Sequence, residues 1–461
     1  MEKFRRFCVI ILLSLVPVVL TCDDDKDDKS EHASYTITYN ANDATGGSVP
    51  SDSTGYQLNQ AATILGNTGD LEKTGSAYYG WNTLANGGGT TYLEGQTMTV
   101  SGNITLFAKW LLNDTDYDAD GYTGNDGDLD ETNALVNPGA YEIIGNGLDD
   151  DCDSSTPDTA AVDDGFESAV FTGVTPLQAA QAIGLYRTTT DDPPISEKTW
   201  GVIDAEFLTS DGVTPVVARL TNMSDYQAAI MTDYGTGGVV PRSGAAMVGI
   251  STGRMRDASD TGYEAPVNGR DFGYIDALPG DYDFPGTSGC SGSCSIVSSV
   301  HDSVNIRLTM RVPTNARGFA YDHIFFTGDF NDPQCSYTDY SLALLTSGAS
   351  GIPEDRNIAF DTLGEPLSVN SGFLSYCTPT TTSCGDCSSG ADILAGTGMD
   401  TDDVGGSTGW LTTKTPVIPG ETIVLEIMIF DSGDGLINSV LLLDNFRWLP
   451  GETTVSTVPA D

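Results

Sequence analysis

Apolar and polar positions alternate with a period of two along much of this chain. Tyr35, Ile37 and Tyr39 alternate with Thr36, Thr38 and Asn40, and Ile104, Leu106, Ala108 and Trp110 alternate with Thr105, Phe107 and Lys109. Such alternation marks strands with one buried face. Ile203, Ala205 and Phe207 repeat the pattern against Asp204 and Glu206, as do Ile306, Leu308, Met310 and Val312 against Arg307, Thr309 and Arg311. Later, Ile423 to Phe430 is apolar but for Glu426, and Val440 to Leu443 is apolar throughout. Unbroken runs of that length predict strands covered on both faces in a sandwich core. One helix is signalled. Thr175 and Gln178 have capping-box spacing, Pro176 stands at the first helical position, and Gly184 can end the helix. The expected class is mainly β and multidomain, its larger part a β-sandwich of jelly-roll type with one or few helices.

Composition sharpens the address. The 461 residues include 53 Gly and only 18% charged residues, yet carry a net charge of −45 from 65 acidic and 20 basic side chains. That balance excludes nucleic acid, whose phosphates require Lys and Arg, and fits an extracellular protein in a medium rich in divalent cations. Lys3, Arg5 and Arg6 precede an apolar run from Cys8 to Leu20. The run is shorter than the ~20 residues a membrane span needs, and reads as a targeting leader. It closes on Val19-Leu20-Thr21-Cys22, which resembles a bacterial lipobox, although Thr21 stands where Gly, Ala or Ser is usual. The resemblance implies a lipoprotein signal peptide over 1–21, lipidation at Cys22 and an acidic tether over 22–33. The implied place is the bacterial cell envelope, lipid-anchored, at the outer membrane or cell surface. Asp23, directly after the Cys, keeps the inner membrane open. Ordinary secretion with cleavage nearby is the alternative.

Cys290, Cys294, Cys335, Cys377, Cys384 and Cys387 lie in one region, and an even set in an oxidising compartment predicts disulfides of undetermined pairing. Cys152 is left over.

Over 34–110, Gly80-Trp81-Asn82-Thr83, Gly89-Thr90, Tyr92 and the closing Ile104-Thr-Leu-Phe-Ala-Lys-Trp110 resemble the Listeria–Bacteroides repeat of bacterial surface proteins. The resemblance implies a β-grasp-like spacer or interaction repeat. Trp81 and Trp110 are expected in its core, because a module this small must bury its largest side chains.

Between Lys109 and Arg187 there is no Lys or Arg, and residues 111–158 carry the densest run of carboxylates. Carboxylates so close repel one another unless a cation sits among them. Asp116, Asp118, Asp120 and Gly121 fill positions 1, 3, 5 and 6 of an EF-hand-type loop, with the Tyr122 carbonyl at position 7. Position 12 is Gly127, so Asp126 or Asp128 must complete the shell, and no amphipathic helix flanks the loop. The pieces Asp116 to Tyr122, Gly127-Asp-Leu-Asp-Glu131, Pro138-Gly-Ala-Tyr-Glu142 and Gly147-Leu-Asp-Asp-Asp-Cys-Asp153 resemble a metal-binding motif of bacterial surface proteins. Leu129 and Ile144 replace two cysteines of that pattern. The expected ligands are Asp116, Asp118, Asp120, Tyr122, Asp126, Asp128, Asp130, Asp149, Asp151 and Asp153. Oxygen donors without His select calcium. The segment is expected to act as a calcium-rigidified joint, with an unstructured acidic linker as the alternative.

Residues 159–450, followed by a tail over 451–461, resemble the choice-of-anchor L family of secreted bacterial proteins. The resemblance rests on Val312-Pro-Thr-Asn-Ala-Arg-Gly-Phe319, Gly409-Trp-Leu-Thr-Thr413 and the run from Phe430 through Leu443-Asp-Asn-Phe-Arg-Trp448, and it implies surface display. Asp431 and Asp434 mark either a tight turn or a further metal or ligand loop. Gly249-Ile-Ser-Thr-Gly253 matches a nucleophile elbow, with His301 and His323 as the downstream bases, but the residues after Ser251 lack a helical apolar face. No catalytic residue is assigned. The expected function is non-enzymatic adhesion or envelope binding, to a glycan or surface protein, with a secreted hydrolase or a purely structural envelope protein as alternatives.

Overall fold

The computed structural model describes residues 34–159, 166, 168–193, 199–212, 216–266, 269–279, 288–289, 292–293, 299–330, 338–378, 387–400, 405–433 and 435–460. Cys22, Asp434, Cys290, Cys294, Cys335 and Cys384 lie outside them. The chain forms two units, one ending at Leu111 and one running from Leu112 to the C-terminus.

In the first unit, β1 (Ile37–Asn40), β3 (Ser76–Asn82), β4 (Thr91–Tyr92) and β6 (Ile104–Leu112) form a sheet in the order β1-β6-β3-β4. The pair β1–β6 is parallel, and β2 (Ala61–Thr63) pairs separately with β5 (Thr97–Thr99). Ile37 and Tyr39 point inward as the alternation predicts, and Leu106 and Ala108 join them. Trp81 is wholly buried, its Nε1 donates to the Leu65 carbonyl at 2.8 Å, and Tyr39 meets it edge-on at 4.6 Å. Trp110 is half-buried and donates to the Asn42 carbonyl at 2.9 Å. Both indoles therefore act as core anchors with satisfied N–H groups.

In the second unit, α1 (Pro176–Ala182) is followed by β7 (Gly201–Leu208), α2 (Val217–Asn222), β8 (Ala228–Met231) and β9 (Met247–Ser251). Next come three short elements, β10 (Ile275–Asp276), β11 (Ser288–Gly289) and β12 (Gly292–Ser293), and then the long strands β13 (Val300–Arg311) and β14 (Gly318–Thr327). β15 (Tyr340–Thr346), β16 (Leu367–Ser368), β17 (Tyr376–Cys377), β18 (Gly406–Ser407) and β19 (Leu411–Pro416) lead to β20 (Thr422–Ser432), β21 (Ser439–Leu449) and β22 (Ser456–Pro459). One sheet has the order β10-β13-β20-β15-β16 with β7 also on β13, and the other β17-β18-β14-β21-β9-β8 with β19 on β14.

Their facing sides share one core, to which β13 gives Ile306, Leu308 and Met310, β20 gives Leu425, Ile427 and Ile429, and β21 gives Leu441 and Leu443. The opposite faces are covered too. Met428 and Phe430 pack with Tyr340 and Leu342, and Val440 and Leu442 pack with Ile324, Phe326 and Met247. This double coverage is why those stretches are continuously apolar. Glu426, the one charge in its run, accepts from Asn305 Nδ2 at 3.2 Å. On β7 the phase differs from the prediction. A register shift opposite Thr309 and Met310 puts Val202 rather than Ile203 into the core beside Phe207.

Helix α1 starts as its sequence specifies. Thr175 Oγ1 accepts from Gln178 N at 3.2 Å, while Gln178 Oε1 accepts from Thr175 N at 3.0 Å. α2 has no side-chain cap and passes into a π-helical turn over Met223–Gln227, so the sequence offers no helix signal there. Cys377 and Cys387 form a disulfide. No helix among the described residues is long and apolar enough to cross a membrane.

Candidate metal centre

The acidic segment folds as a series of tight turns in which carboxylates hold backbone amides. Asp116 accepts from Ala119 N at 2.7 Å and from Gly121 N at 3.0 Å, so both its oxygens are engaged. Gly121 stands at φ +95°, a left-handed conformation that the sixth loop position needs and that a side chain would strain. Asp118 Oδ1 accepts from Asp120 N at 3.3 Å, Asp120 Oδ1 from Tyr122 N at 2.8 Å, Asp128 Oδ1 from Asp130 N at 2.8 Å and Glu131 Oε2 from Tyr117 N at 3.3 Å. In each of these four, one oxygen fixes the backbone and the other is left over. Asp118 Oδ2, Asp120 Oδ2, Asp128 Oδ2 and Glu131 Oε1 are buried without a hydrogen-bond partner.

Asp128 and Glu131 are only 6% and 5% exposed, and a lone anionic oxygen so deep is costly unless something cationic faces it. Burial pushes Asp128 up to about 7, and the charges of Asp120, Glu131 and Asp118 push the same way. Asp120 rises to about 6, again chiefly by burial. Oxygens of Asp116, Asp118 and Asp120 lie within 4.8 Å of one another, close enough to share one ion. Asp128 and Glu131 border this loop, with the charges of Asp118 and Asp120 acting on Asp128, and Glu131 holding Tyr117 N.

Asp126, Asp130 and Tyr122, the last expected to give its carbonyl, also make local side-chain contacts. Asp126 Oδ2 accepts from Thr123 N at 3.1 Å and Thr123 Oγ1 at 2.7 Å, and exposed Asp130 holds Thr132 Oγ1 at 2.7 Å. Tyr122 is buried, its hydroxyl 3.3 Å from Thr199 Oγ1.

A second group joins Glu142, Asp149 and Asp151, whose oxygens also lie within 4.8 Å of one another. Glu142 Oε2 accepts from Asp150 N at 2.9 Å, while Glu142 Oε1 is buried and unpartnered. Asp149 Oδ1 accepts from Asp153 N at 2.9 Å, and Asp153 Oδ1 accepts from Ser155 Oγ at 2.6 Å as a local turn cap. Glu131 and Glu142 stand outside the predicted ligand set. Their signal lay in their motif pieces, three residues after Asp128 and at the end of Pro138-Gly-Ala-Tyr-Glu142. Cys152 between these acids is a free thiol, and burial pushes its pKa up to about 11.

Between the two groups the chain is pinned to the sandwich. Trp200 Nε1 donates to the Ala140 carbonyl at 2.7 Å, Tyr141 N donates to Asn315 Oδ1 at 3.0 Å, and Asn315 Nδ2 returns a bond to the Tyr141 carbonyl at 2.8 Å. The Tyr141 hydroxyl donates to the Trp448 carbonyl at 3.2 Å. The segment is therefore part of the larger unit, docked on its surface rather than strung out before it. A cavity of about 450 Å³ opens along the dock, walled by Tyr141, Glu142, Asp151, Arg187, Trp200 and Trp448. The Arg187 guanidinium stacks over the Trp200 ring at 4.9 Å.

The nucleophile-elbow residues are not assembled. Ser251 is buried and donates to the Ser439 carbonyl at 3.0 Å, and a bend follows it in place of a helix. His323 Nε2 meets Thr413 Oγ1 at 2.8 Å, and His301 Nε2 meets Ser299 Oγ at 3.2 Å.

Fold and site together define a mainly β, multidomain protein with an anionic segment docked on a sandwich. Residues 35–109 match the Listeria–Bacteroides repeat domain. The chain is also similar, at 31% identity over 116 residues, to a Gly-rich protein of Evansella cellulosilytica that bears a provisional membrane-protein name. That alignment covers 23% of this chain and 13% of the relative's length. No solved structure matches the chain.

Proposed function

We propose that this is a lipid-anchored, calcium-binding protein of the bacterial cell surface that acts as a non-enzymatic adhesion or envelope-binding module. The observation that carries the reading is the set of buried, unpartnered oxygens on Asp118, Asp120, Asp128 and Glu131. Only oxygen donors converge there, and calcium accepts six to eight of them in irregular geometry. An affinity on the order of 10⁻⁴–10⁻³ M suits an extracellular structural ion. The repeat matched at 35–109 supports display at the surface, and Cys22 is the anchor point in this reading.

Calcium at the two acidic groups flanks the pinned residues 137–141, so it fixes the wall of the adjoining cavity. Tyr141, Trp200 and Trp448 give that cavity aromatic surface, and Arg187 with Glu142 gives it polar groups. Aromatic faces beside hydrogen-bonding side chains suit the mixed apolar and hydroxyl faces of a sugar. A glycan is therefore the ligand class we assign to it. A glycan-array screen of the protein, with calcium and again with chelator, is expected to give hits that chelation abolishes. Hits unaffected by chelator would separate binding from the ion, and silence on the array and on whole cells would leave the purely structural envelope role.

A further inference from the structure

Far from the acidic segment in sequence, one end of the sandwich buries four carboxylates together. Asp302 is 0% exposed, Asp339 and Asp431 are each 1% exposed, and Asp329 is 6% exposed. They come from both sheets. Asp431 lies on the inner face of β20, in phase with core residues Ile427 and Ile429, and Asp339 immediately precedes β15, whose Tyr340 pairs with Phe430. From the facing sheet, Asp329 follows the end of β14 and Ser439 begins β21. Ser439 Oγ donates to Asp339 Oδ2 at 2.5 Å, and Thr252 Oγ1 accepts from Ser439 N at 3.0 Å.

These acids are not equivalent. Asp302 is held by amides, accepting from Phe272 N at 2.8 Å and Tyr274 N at 3.0 Å. Asp431 has no such support, and neither of its oxygens makes a hydrogen bond of standard geometry although both are buried. Burial, then the charge of Asp339, raises its pKa well above the ordinary carboxylate value, with the Thr252 hydroxyl pulling the other way. Among the described residues no Lys or Arg forms an ion pair with it. The Arg219 guanidinium, whose charge acts on Asp302, is paired with Asp276 at 2.8 Å and hydrogen-bonded to the Ser303 carbonyl. His301, across the strand pair from Asp431, keeps its Nε2 on Ser299.

A carboxylate with both oxygens bare, inside a core and surrounded by like charge, has two physical resolutions. It takes a proton, or a cation sits against it. We infer that Asp431, with Asp339 and Asp329, forms a second, buried calcium site that ties the two sheets together at this end of the sandwich. Asp339 and Asp329 lie near enough for their charges to act on Asp431, and Ser439 links Asp339 to the Thr252 hydroxyl beside it. An all-oxygen donor set of this kind selects a hard cation over zinc or copper. The site is separate from the acidic segment in chain and place, and it stands or falls independently of the surface-binding reading.

Its depth predicts slow exchange, so the ion stays with the protein through purification. Metal analysis of the full chain carrying Asp118→Asn and Asp128→Asn, which disable the first acidic group, is expected to find calcium retained after brief dialysis against chelator. Adding Asp431→Asn should remove one equivalent of that calcium and lower the melting temperature in calcium buffer. The proton alternative predicts the reverse, because an amide then replaces a neutral acid. Unchanged metal content with an equal or higher melting temperature would overturn the site. Should Asp431→Asn fail to fold, anomalous diffraction from manganese-soaked crystals of the parent chain decides the matter. A peak between Asp431 and Asp339 supports the site, and its absence there overturns it.

Discussion

At the scale of single residues, the molecule's polar interior behaves in two opposite ways. Asp118, Asp120, Asp128 and Glu131 each keep one buried oxygen without a donor, and Asp431 keeps two. Asp322, by contrast, is saturated. It accepts from Thr412 Oγ1 at 2.7 Å and Asn445 Nδ2 at 2.9 Å and pairs with Arg242 at 3.2 Å and Arg447 at 3.3 Å. Its pKa falls despite its burial. The contrast supports the proposed ion sites, since this fold can satisfy a buried carboxylate where it needs to. His323 supplies a test free of any ion. Burial lowers its pKa from 6.5 to about 4, so between those values the unfolded chain binds a proton that the folded chain does not. Stability is therefore lost as pH falls through that window, by on the order of 3 kcal/mol at the acid end. Denaturant melts at several pH values should show His323→Gln losing less stability than the parent between pH 6.5 and 4. Parallel curves would mean that His323 does not titrate this way.

At the scale of elements, what could be read in advance followed how local each signal was. The period-two pattern of β13 and the continuous runs of β20 and β21 located strands and their coverage, because strand side chains alternate without help from distant residues. The start of α1 was equally legible, being fixed by Thr175, Pro176 and Gln178 alone. Thr175→Ala is expected to cost about 1 kcal/mol in equilibrium unfolding, with Thr175→Ser near neutral. A null effect would mean the box is redundant with packing. Other features depended on distant partners and left no local trace. The phase of β7 is set by a bulge against β13, and α2 forms without a cap while Arg219 reaches Asp276 and stacks on Tyr274 at 4.1 Å. The candidate centre divides the same way. Asp116, Asp118 and Asp120 sit in a loop whose spacing is its own signature. Asp128 and Glu131 close on that loop from a later turn, and Asp431 meets Asp339 only after two sheets have formed.

At the scale of the whole molecule, the larger unit includes the segment that sequence spacing presents as a separate joint. The bonds from Trp200, Asn315, Thr314 and Tyr141 make residues 137–141 a seam in the surface of the sandwich. Calcium is then asked to hold that seam closed, and its effect belongs to the unfolding of the larger unit rather than to an isolated peptide. The net charge of −45 works against any compact state, which makes bound cations more stabilising. The most direct measurement is calorimetric melting of the intact protein in chelator and in about 2 mM calcium, set beside the Asp118→Asn/Asp128→Asn chain. Mass action at two weak sites corresponds to about 1–4 kcal/mol, a rise of about 2–5 °C in the melting of the larger unit. That rise is expected in the parent, with a clearly smaller one in the variant. Melts of the parent that coincide with and without calcium, or equal shifts in parent and variant, would contradict it.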